Sequence, residues 1–199
     1  MKIFDFIFYY FMKTVILVLM KLLYRVEVKN KPNLGKNKGV LFVGNHSSWF
    51  DTLILTYGVG HRIRFLTGDF IFNVPVMRTL VKHMYIIPMR KNHGKEAIEL
   101  AVSALKSGKP VCIFPEGEIT PTGEMLRFRS GVSIIQKNSN APIIPFYIHG
   151  ASEVWSIVQP KIKFFRKMTI YFGEPYYPKE ENIKDAANEV REQIIALKP

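Results

Sequence analysis

A histidine and an aspartate stand at a spacing that could move a proton. His46 follows an apolar run at residues 40–43, and Asp51 comes five residues after it, just before a second apolar run. Five residues of continuous helix would turn Asp51 about 140° away from His46, so the two side chains can meet only across a bend. A strand-to-helix turn provides that bend, and a carboxylate that binds one imidazole nitrogen leaves the other as a base. The alternative is that Asp51 only caps a helix, because Ser48-x-x-Asp51 fits a capping pattern.

A second polar turn follows another apolar run. Residues 111–114 are apolar, and Pro115, Glu116 and Gly117 come directly after them. Proline stops the hydrogen-bonding ladder of a strand, and glycine lets backbone approach a ligand closely. Glu116 can accept a hydrogen bond from a substrate hydroxyl, and an amide near Gly117 can face a developing oxyanion. An ordinary loop with solvated acids is the alternative. Cys112 lies inside the run, which favours a buried structural thiol over a nucleophile.

Two further runs end in residues of interest. Arg90 follows the apolar residues 86–89, and its planar guanidinium can bind a phosphate. A solvated basic turn is the usual alternative. Residues 143–150 contain a proline and a glycine that are typical of a strand edge or bulge, and we interpret them as structural. The five histidines show no spacing typical of metal ligands, so we expect no bound metal.

The elements that must position these residues alternate between strand-like and helical patterns. Such alternation predicts an α/β fold, a two-layer or three-layer sandwich with a largely parallel mixed sheet. In a sheet of this kind the ligand site lies at the carboxyl ends of the strands, and the polar turns fall there. The predicted strands are residues 26–28, 40–43, 63–66, 84–87, 111–114, 143–148 and 168–172, and the predicted helices are residues 95–106, 131–137 and 184–197.

The amino-terminal segment is dominated by apolar residues. Residues 3–24 contain three charged residues, Asp5, Lys13 and Lys21. At about 1.5 Å per residue the segment is long enough for a hydrocarbon core of about 30 Å. A lysine at mid-depth costs about 2.5 to 3.5 kcal/mol, which favours a helix lying in the membrane interface. We therefore expect residues 1–25 to be a membrane-anchoring helix or helices. A helix packed on the protein's own core is the alternative, and a secretory signal lacks its cleavage site.

Composition narrows the class of protein. The chain has 199 residues and carries 28 Lys and Arg against 16 Asp and Glu, a net charge of +12. Its 48% apolar content excludes intrinsic disorder, and its single cysteine excludes a disulfide scaffold or a cysteine-built zinc site. The positive charge predicts an anionic partner, which is a nucleic acid, an anionic membrane, a phosphorylated substrate or an acidic carrier protein.

One later segment mixes aromatic and basic side chains. Residues 154–167 include Trp155, Phe164 and Phe165 among several lysines and arginines. This mixture suits a membrane interface, and a nucleic-acid patch would show the same composition. The alternative is a set of core aromatics beside solvated lysines.

Four ordered motifs together resemble the PlsC-like glycerolipid acyltransferases, the 1-acylglycerol-3-phosphate acyltransferase family. They are N-H-x4-D, an arginine after I-P-x, F-P-E-G and I-P-x4-G, within residues 39–150. The resemblance implies an α/β sandwich with a membrane-facing tunnel or groove for acyl chains. It also implies transfer of a fatty acyl group from acyl-CoA or acyl carrier protein, with no other cofactor, to a lysophospholipid hydroxyl. By this resemblance His46 is the general base, Asp51 orients it, Arg90 contacts a phosphate, and Glu116 and Gly117 take part in acceptor binding.

The third motif departs from the usual pattern of the family. Phosphatidate-forming members generally have T-R-S after F-P-E-G, whereas Glu118, Ile119 and Thr120 stand here. The form F-P-E-G-x-I-T is similar to the 2-acylglycerophosphoethanolamine acyltransferase branch, and Arg127 or Arg129 can supply the missing charge.

The resemblance leaves several expectations about the acceptor and the location. We expect 1-acylglycerol-3-phosphate as acceptor, giving phosphatidic acid, with lysophosphatidylethanolamine, glycerol 3-phosphate or an amino-lipid as alternatives. A noncatalytic basic protein that binds lipid or nucleic acid is the alternative of a different class. We expect residues 26–199 to form the acyltransferase domain, located at the anionic cytoplasmic face of the cell membrane, with no nucleic-acid partner.

Overall fold

The computed structural model describes residues 3–35, 39–68, 86–90, 93–156, 158 and 161–199. Within these residues the chain forms seven strands and six helices. The strands are β1 (Arg25–Lys29), β2 (Leu41–Gly44), β3 (Arg64–Gly68), β4 (Ile87–Met89), β5 (Val111–Ile113), β6 (Ile143–His149) and β7 (Lys167–Phe172). The helices are α1 (Ile3–Leu23), α2 (Asp51–Val59), α3 (Gly94–Lys106), α4 (Gly131–Ser139), α5 (Ala151–Val154) and α6 (Ile183–Ile195).

The seven strands form a sheet in the order β1-β7-β6-β2-β5-β3-β4. β6, β2, β5, β3 and β4 run parallel to one another, β7 is antiparallel to β6, and β1 is parallel to β7. Leu41 in the central strand β2 lies opposite Val111 of β5 and Ile143 of β6. The five parallel strands therefore end on the same side of the sheet, which we call the carboxyl edge.

Apolar side chains cover both faces of the sheet, as strands with unbroken apolar runs require. In β2, Phe42 belongs to the core on one face, and Leu41 and Val43 belong to the core on the other, because successive side chains of a strand alternate. The Phe42 core includes Met20 of α1 and Ile54 of α2. The second core receives α3, α4 and α6. The predicted α/β sandwich is thus confirmed, with three layers.

The predicted elements agree closely with the structure. The predicted helices 95–106, 131–137 and 184–197 correspond to α3, α4 and α6, and their ends differ by at most two residues. Six predicted strands match β1, β2, β3, β5, β6 and β7 equally well. The predicted strand 84–87 meets β4 only at Ile87, and its first two residues lie outside the described part of the chain. The short helix α5 was not predicted.

The inner side of α1 packs on the α/β domain. Met20 is 2% exposed, and the Lys13 ammonium donates to the carbonyl oxygen of Gly60, the C-cap residue of α2. Burial, together with the charges of Lys31 and Arg62, lowers the pKa of Lys13. On this side α1 is the core-packed helix that the sequence offered as an alternative.

The outer side of α1 is apolar and exposed. Its exposed apolar side chains are Ile7, Tyr10, Phe11, Val18, Leu19 and Leu22. An apolar stripe along a helix is a surface that usually meets another apolar partner. None of the helices in the described residues has both the length and the apolarity needed to cross a membrane.

Candidate active site

The turn between β2 and α2, residues 45–50, is fixed to the neighbouring strands. A side chain at Gly44 would place its Cβ 2.2 Å from the ring of Phe146 in β6, so glycine is required where β2 ends. The Asn45 amide group pairs with the backbone of Ile148, donating to its carbonyl oxygen at 3.0 Å and accepting from its N–H at 2.7 Å. These contacts extend the pairing of β2 and β6 up to residues 45–50, which we call the catalytic turn after the role predicted for His46.

His46 and Asp51 meet across this turn. Nδ1 of His46 lies 2.9 Å from Oδ2 of Asp51. A carboxylate only accepts hydrogen bonds, so Nδ1 carries the proton and Nε2 keeps its lone pair. No described residue pairs with Nε2, and the His46 side chain is 18% exposed whereas Asp51 is fully buried. The bend predicted from the spacing is therefore present, and the contact with Asp51 leaves Nε2 of His46 open.

The Asp51 carboxylate faces the turn that precedes its helix. Oδ2 also accepts the amides of Ser47 at 2.7 Å and Ser48 at 2.8 Å. The N-cap residue of α2 is Phe50, which makes no side-chain capping bond. Asp51 thus holds the residues that follow His46. Its bond to the Ser48 amide is the carboxylate half of the predicted capping pattern, whereas the Ser48 hydroxyl accepts the Phe50 amide at 3.1 Å, so Asp51 serves both the turn and the start of the helix.

Stacking fixes the plane of the imidazole. The His46 ring lies against the Phe114 ring, with centroids 4.2 Å apart and an angle of 15° between the planes. Phe114 follows the last residue of β5, the strand next to β2. The F-P-E-G motif therefore supports the imidazole ring of the N-H-x4-D motif.

Glu116 joins the catalytic turn to the loop at residues 120–130. Its Oε1 accepts the His46 amide at 2.7 Å, and its Oε2 accepts the Leu126 amide at 2.8 Å. The amide of Thr120 donates to the His46 carbonyl oxygen at 2.9 Å, so both backbone groups of His46 are bonded. Glu116 is 3% exposed, and burial raises its pKa even though the two amide bonds act in the opposite direction. In this structure Glu116 binds backbone, and its contact with an acceptor stays a prediction.

Arg129 lies across the turn at Gly117. Gly117 has a φ of 80°, and a Cβ there would come within 2.6 Å of the Arg129 guanidinium carbon. Glycine is therefore needed both for the backbone conformation and for the approach of the arginine. The Arg129 amide donates to the Pro115 carbonyl oxygen at 2.8 Å, and the side chain is exposed. The Gly117 amide donates to the Phe114 carbonyl oxygen at 3.1 Å, so an oxyanion needs a different donor.

Arg90 lies on the carboxyl edge but far from His46. It follows β4, the last strand of the sheet, and is exposed. β5 and β3 separate β4 from β2, which places the two strand ends about 14 Å apart at about 4.8 Å per strand. The structure therefore brings His46, Asp51, Glu116, Gly117 and Arg129 together and leaves Arg90 at a distance.

Three residues that support the site, Asn45, Phe114 and Leu126, were not predicted to do so. Asn45 is part of the N-H-x4-D motif, but its pairing with Ile148 depends on β2 and β6 being neighbours, which the motif does not indicate. Phe114 supports the imidazole by a ring contact that an apolar run does not reveal. Leu126 contributes only its backbone amide, which leaves no signal in the residue type. Cys112 is buried, as predicted, and burial raises its thiol pKa well above the ordinary value.

The expected tunnel for acyl chains stays a prediction. A groove lined by Ile98, Val102 and Lys106 lies on the outer helical layer between α3 and α4 and not at the catalytic turn. Residues 69–85, which follow β3 in the sequence, lie outside the described residues.

Comparisons with known proteins agree with this site. The family model described as Acyltransferase matches residues 25–149, a range that contains the catalytic turn, Arg90, Glu116 and Arg129. A 1-acyl-sn-glycerol-3-phosphate acyltransferase of Bacillus subtilis is 29% identical over 173 residues, 85% of this chain and 82% of the relative. A chloroplastic protein of Brassica napus with the same activity in its name is 21% identical over 86% of this chain, which spans about half (51%) of that relative.

A solved structure shares the fold. The crystal structure of the 1-acyl-sn-glycerophosphate acyltransferase PlsC from Thermotoga maritima superposes with a TM-score of 0.78 at 21% sequence identity. The match covers 92% of this chain and 76% of that one.

Proposed function

The chain belongs to the acyltransferase family and is a PlsC-like O-acyltransferase, and on that premise we propose that it moves a fatty acyl group from an acyl thioester to a lysophospholipid hydroxyl. The observation that carries the proposal is the His46–Asp51 pair at 2.9 Å, with Nε2 of His46 left open at the carboxyl edge. The donor in this proposal is acyl-CoA or acyl carrier protein, and no other cofactor takes part.

The mechanism is direct transfer without a covalent enzyme intermediate. Nε2 of His46 removes the proton of the acceptor hydroxyl as its oxygen attacks the thioester carbonyl. The tetrahedral intermediate collapses, its carbon–sulfur bond breaks, and the leaving thiolate takes the proton back from the imidazolium. Asp51 stabilises the imidazolium through Nδ1, and backbone amides other than that of Gly117 stabilise the oxyanion.

The proposed acceptor is 1-acylglycerol-3-phosphate, which gives phosphatidic acid. The Bacillus subtilis relative is named for this activity and matches over most of both chains. The Arg129 guanidinium at Gly117 supports the choice, because it places a cation where F-P-E-G lacks its usual following arginine. Glu118, exposed in the same turn, favours an acceptor with an amine such as lysophosphatidylethanolamine, which is the second candidate.

Thiol release by the purified protein tests both the reaction and the acceptor. The assay compares acyl-CoA with acyl carrier protein donors across lysophosphatidic acid, lysophosphatidylethanolamine and glycerol 3-phosphate. We expect His46→Ala to lower turnover by about 1,000-fold or more, because the base is lost. His149→Ala is the matched control, since His149 is exposed at the same edge of the sheet. Near-normal turnover by the His46 variant would exclude the proposed mechanism.

We also propose that the enzyme works at the anionic cytoplasmic face of the cell membrane. Residues 1–25 are the proposed anchor and residues 26–199 the catalytic domain. The exposed apolar side of α1 supports this, and each Lys or Arg near an anionic leaflet adds about 1 kcal/mol of attraction. Serine substitution of Val18 and Leu22, which both lie on that side, is expected to lower flotation with vesicles. Unchanged flotation would exclude α1 as the anchor.

A further inference from the structure

A second exposed apolar feature lies beside the catalytic turn. Phe164 is 52% exposed and Phe165 is 71% exposed. These two side chains are therefore not core aromatics, which was the structural alternative for this segment. Around them four basic side chains are also exposed, namely Lys161, Lys163, Arg166 and Lys167.

The backbone of Phe165 is in a strained conformation, and its ring is exposed. Phe165 has a φ of 59°, a left-handed conformation that is rare for an aromatic residue. Its amide donates to the Leu23 carbonyl oxygen at 2.8 Å, and the amide of Lys163 donates to the Val154 carbonyl oxygen at 2.9 Å. A strained residue that buries little of its own ring suggests that the exposed ring serves a function.

Ring contacts connect this segment to the catalytic turn. Phe164 stacks on Tyr24 with centroids 6.2 Å apart, and Tyr24 meets the edge of Phe50 at 5.2 Å. Phe50 precedes Asp51 in the chain. The bond from Phe165 to Leu23 also places the pair next to Leu22, which is 68% exposed at the end of α1.

We propose that Phe164, Phe165 and Leu22 form a docking face that inserts into the interface of an anionic phospholipid bilayer. Lys161 and Arg166 then lie at the level of the lipid phosphates, while Lys167 is already paired with Glu27 at 3.0 Å. The choice of a bilayer over a nucleic acid follows from the continuation of the face along the end of α1 through the exposed side chains of Val18, Leu19 and Leu22, because aliphatic side chains insert into lipid and do not stack on bases. The choice of partner rests on the proposed function, since a lysophospholipid acceptor is held in a bilayer.

Flotation with vesicles of phosphatidylcholine mixed with phosphatidylglycerol tests this proposal. Phe165→Gly is the informative variant, because glycine adopts a positive φ without strain. We expect its Tm to be unchanged or higher and its vesicle binding to fall by about 10-fold, as expected for loss of a buried aromatic ring. Tyr177→Ser is the matched control, because Tyr177 is 54% exposed next to Tyr176, whose bridge to Ile143 places it at the opposite edge of the sheet.

Charge and alternative partners are tested with the same material. Lys161→Gln with Arg166→Gln is expected to weaken binding to the mixed vesicles and to leave binding to phosphatidylcholine alone unchanged. Wild-type flotation by Phe165→Gly would overturn the proposal, as would binding of a single-stranded oligonucleotide in preference to vesicles. Flotation does not depend on turnover, so absence of thiol release in the wild type would reject the proposed function and leave this result standing.

A separate contact network gives a second inference. The Arg191 guanidinium of α6 donates to the carbonyl oxygens of Met125 at 3.1 Å and Leu126 at 3.3 Å. The Leu126 amide in turn donates to Glu116, and Glu116 accepts the amide of His46. The carboxyl-terminal helix is thereby connected to the catalytic turn through three successive contacts.

We infer that Arg191 is a positioning residue for the general base. Arg191→Ala is expected to lower kcat by about 10-fold at a temperature well below Tm, with KM for the thioester unchanged, because a small displacement of His46 is costly. Arg191→Lys is expected to restore part of kcat. Glu192→Ala removes only the ion pair to Arg191 at 3.2 Å and is the matched control. Equal loss of kcat in the Glu192 variant, or normal kcat in Arg191→Ala, would overturn the inference.

Discussion

The catalytic turn and the arginines of the same sheet edge are held in different ways. His46 is fixed by bonds to both of its backbone groups, by the Asp51 carboxylate and by a ring beneath it. Arg90 and Arg129 are exposed, and Arg129 is held only near its backbone and at Gly117. In the proposed mechanism, backbone contacts therefore set the geometry of proton transfer, whereas exposed cations select the acceptor. The first region is expected to govern kcat and the second to govern KM for the acceptor.

The largest effect is expected from the charge of Asp51. Asp51→Asn keeps an oxygen for the amides of Ser47 and Ser48 but removes the negative charge that stabilises the imidazolium in the proposed mechanism. We expect kcat to fall by about 1,000-fold with a small change in Tm. Steady-state kinetics measures kcat, and thermal unfolding of the same preparation measures Tm. A large loss of Tm with near-normal kcat would instead make Asp51 a structural residue.

Substitution of Arg129 and Arg90 tests whether the exposed arginines govern KM for the acceptor. Arg129→Ala is expected to raise KM for lysophosphatidic acid by about 10-fold, because a charge-assisted hydrogen bond is lost, and to leave kcat nearly unchanged. Arg90→Ala is expected to raise KM for lysophosphatidic acid less than Arg129→Ala does, since Arg90 follows a strand three positions away from β2. Steady-state titration of the acceptor separates the constants. A larger effect at Arg90 would place the phosphate at the far end of the edge.

The raised pKa of Glu116, which binds the catalytic turn, can be tested through the pH dependence of the free energy of unfolding. Burial raises its pKa, so the folded protein holds this proton at a higher pH than the unfolded chain does. The stability contributed by the protonated form is present below the unfolded pKa and is lost as pH rises through the folded pKa. The difference in unfolding free energy, wild type minus Glu116→Gln, is therefore expected to decrease as pH rises from about 4 to 7. Urea unfolding across this range measures it, and a constant or increasing difference would contradict the shift.

The smallest effect is expected at Cys112, within the strand that leads to Glu116. Burial and the nearby Asp51 charge raise the pKa of the thiol, so it stays protonated. Iodoacetamide at about pH 8 is expected to leave the native enzyme unmodified and active and to label it in urea. Mass spectrometry reports the labelling. Rapid modification with loss of activity in the native state would reopen a catalytic role for Cys112.

The strand and helix pattern and the meeting of His46 with Asp51 could be predicted because each depends on local residue types. Apolar runs bounded by polar turns predicted six of the strands, and the five-residue spacing predicted the bend. The pairing of Asn45 with Ile148 spans 103 residues and depends on β2 and β6 being neighbours. Strand order is not written in any local pattern, so neither that contact nor the distance of Arg90 from the site could be derived.

Backbone contacts account for the rest of the difference. Glu116 binds two amides, and an amide is present at every residue except proline, so the sequence could not indicate Leu126 as its partner. The position of Arg129 could not be predicted for a similar reason. It depends on the left-handed conformation of Gly117, which lacks the Cβ that would meet the guanidinium across the turn.

The contact between Lys13 and Gly60 affects how shortened versions of this enzyme behave. Helix α2 begins with Asp51 and ends where Lys13 binds, a length of about 13 Å for its nine residues. A variant that lacks residues 1–23 loses the Lys13 cation and exposes the core that Met20 covers. A loss of activity in that variant would then have two causes, the disturbed packing of α2 and the separation of the enzyme from lipid. For expression and crystallisation, polar replacements on the outward side of the first helix are a safer route than deletion.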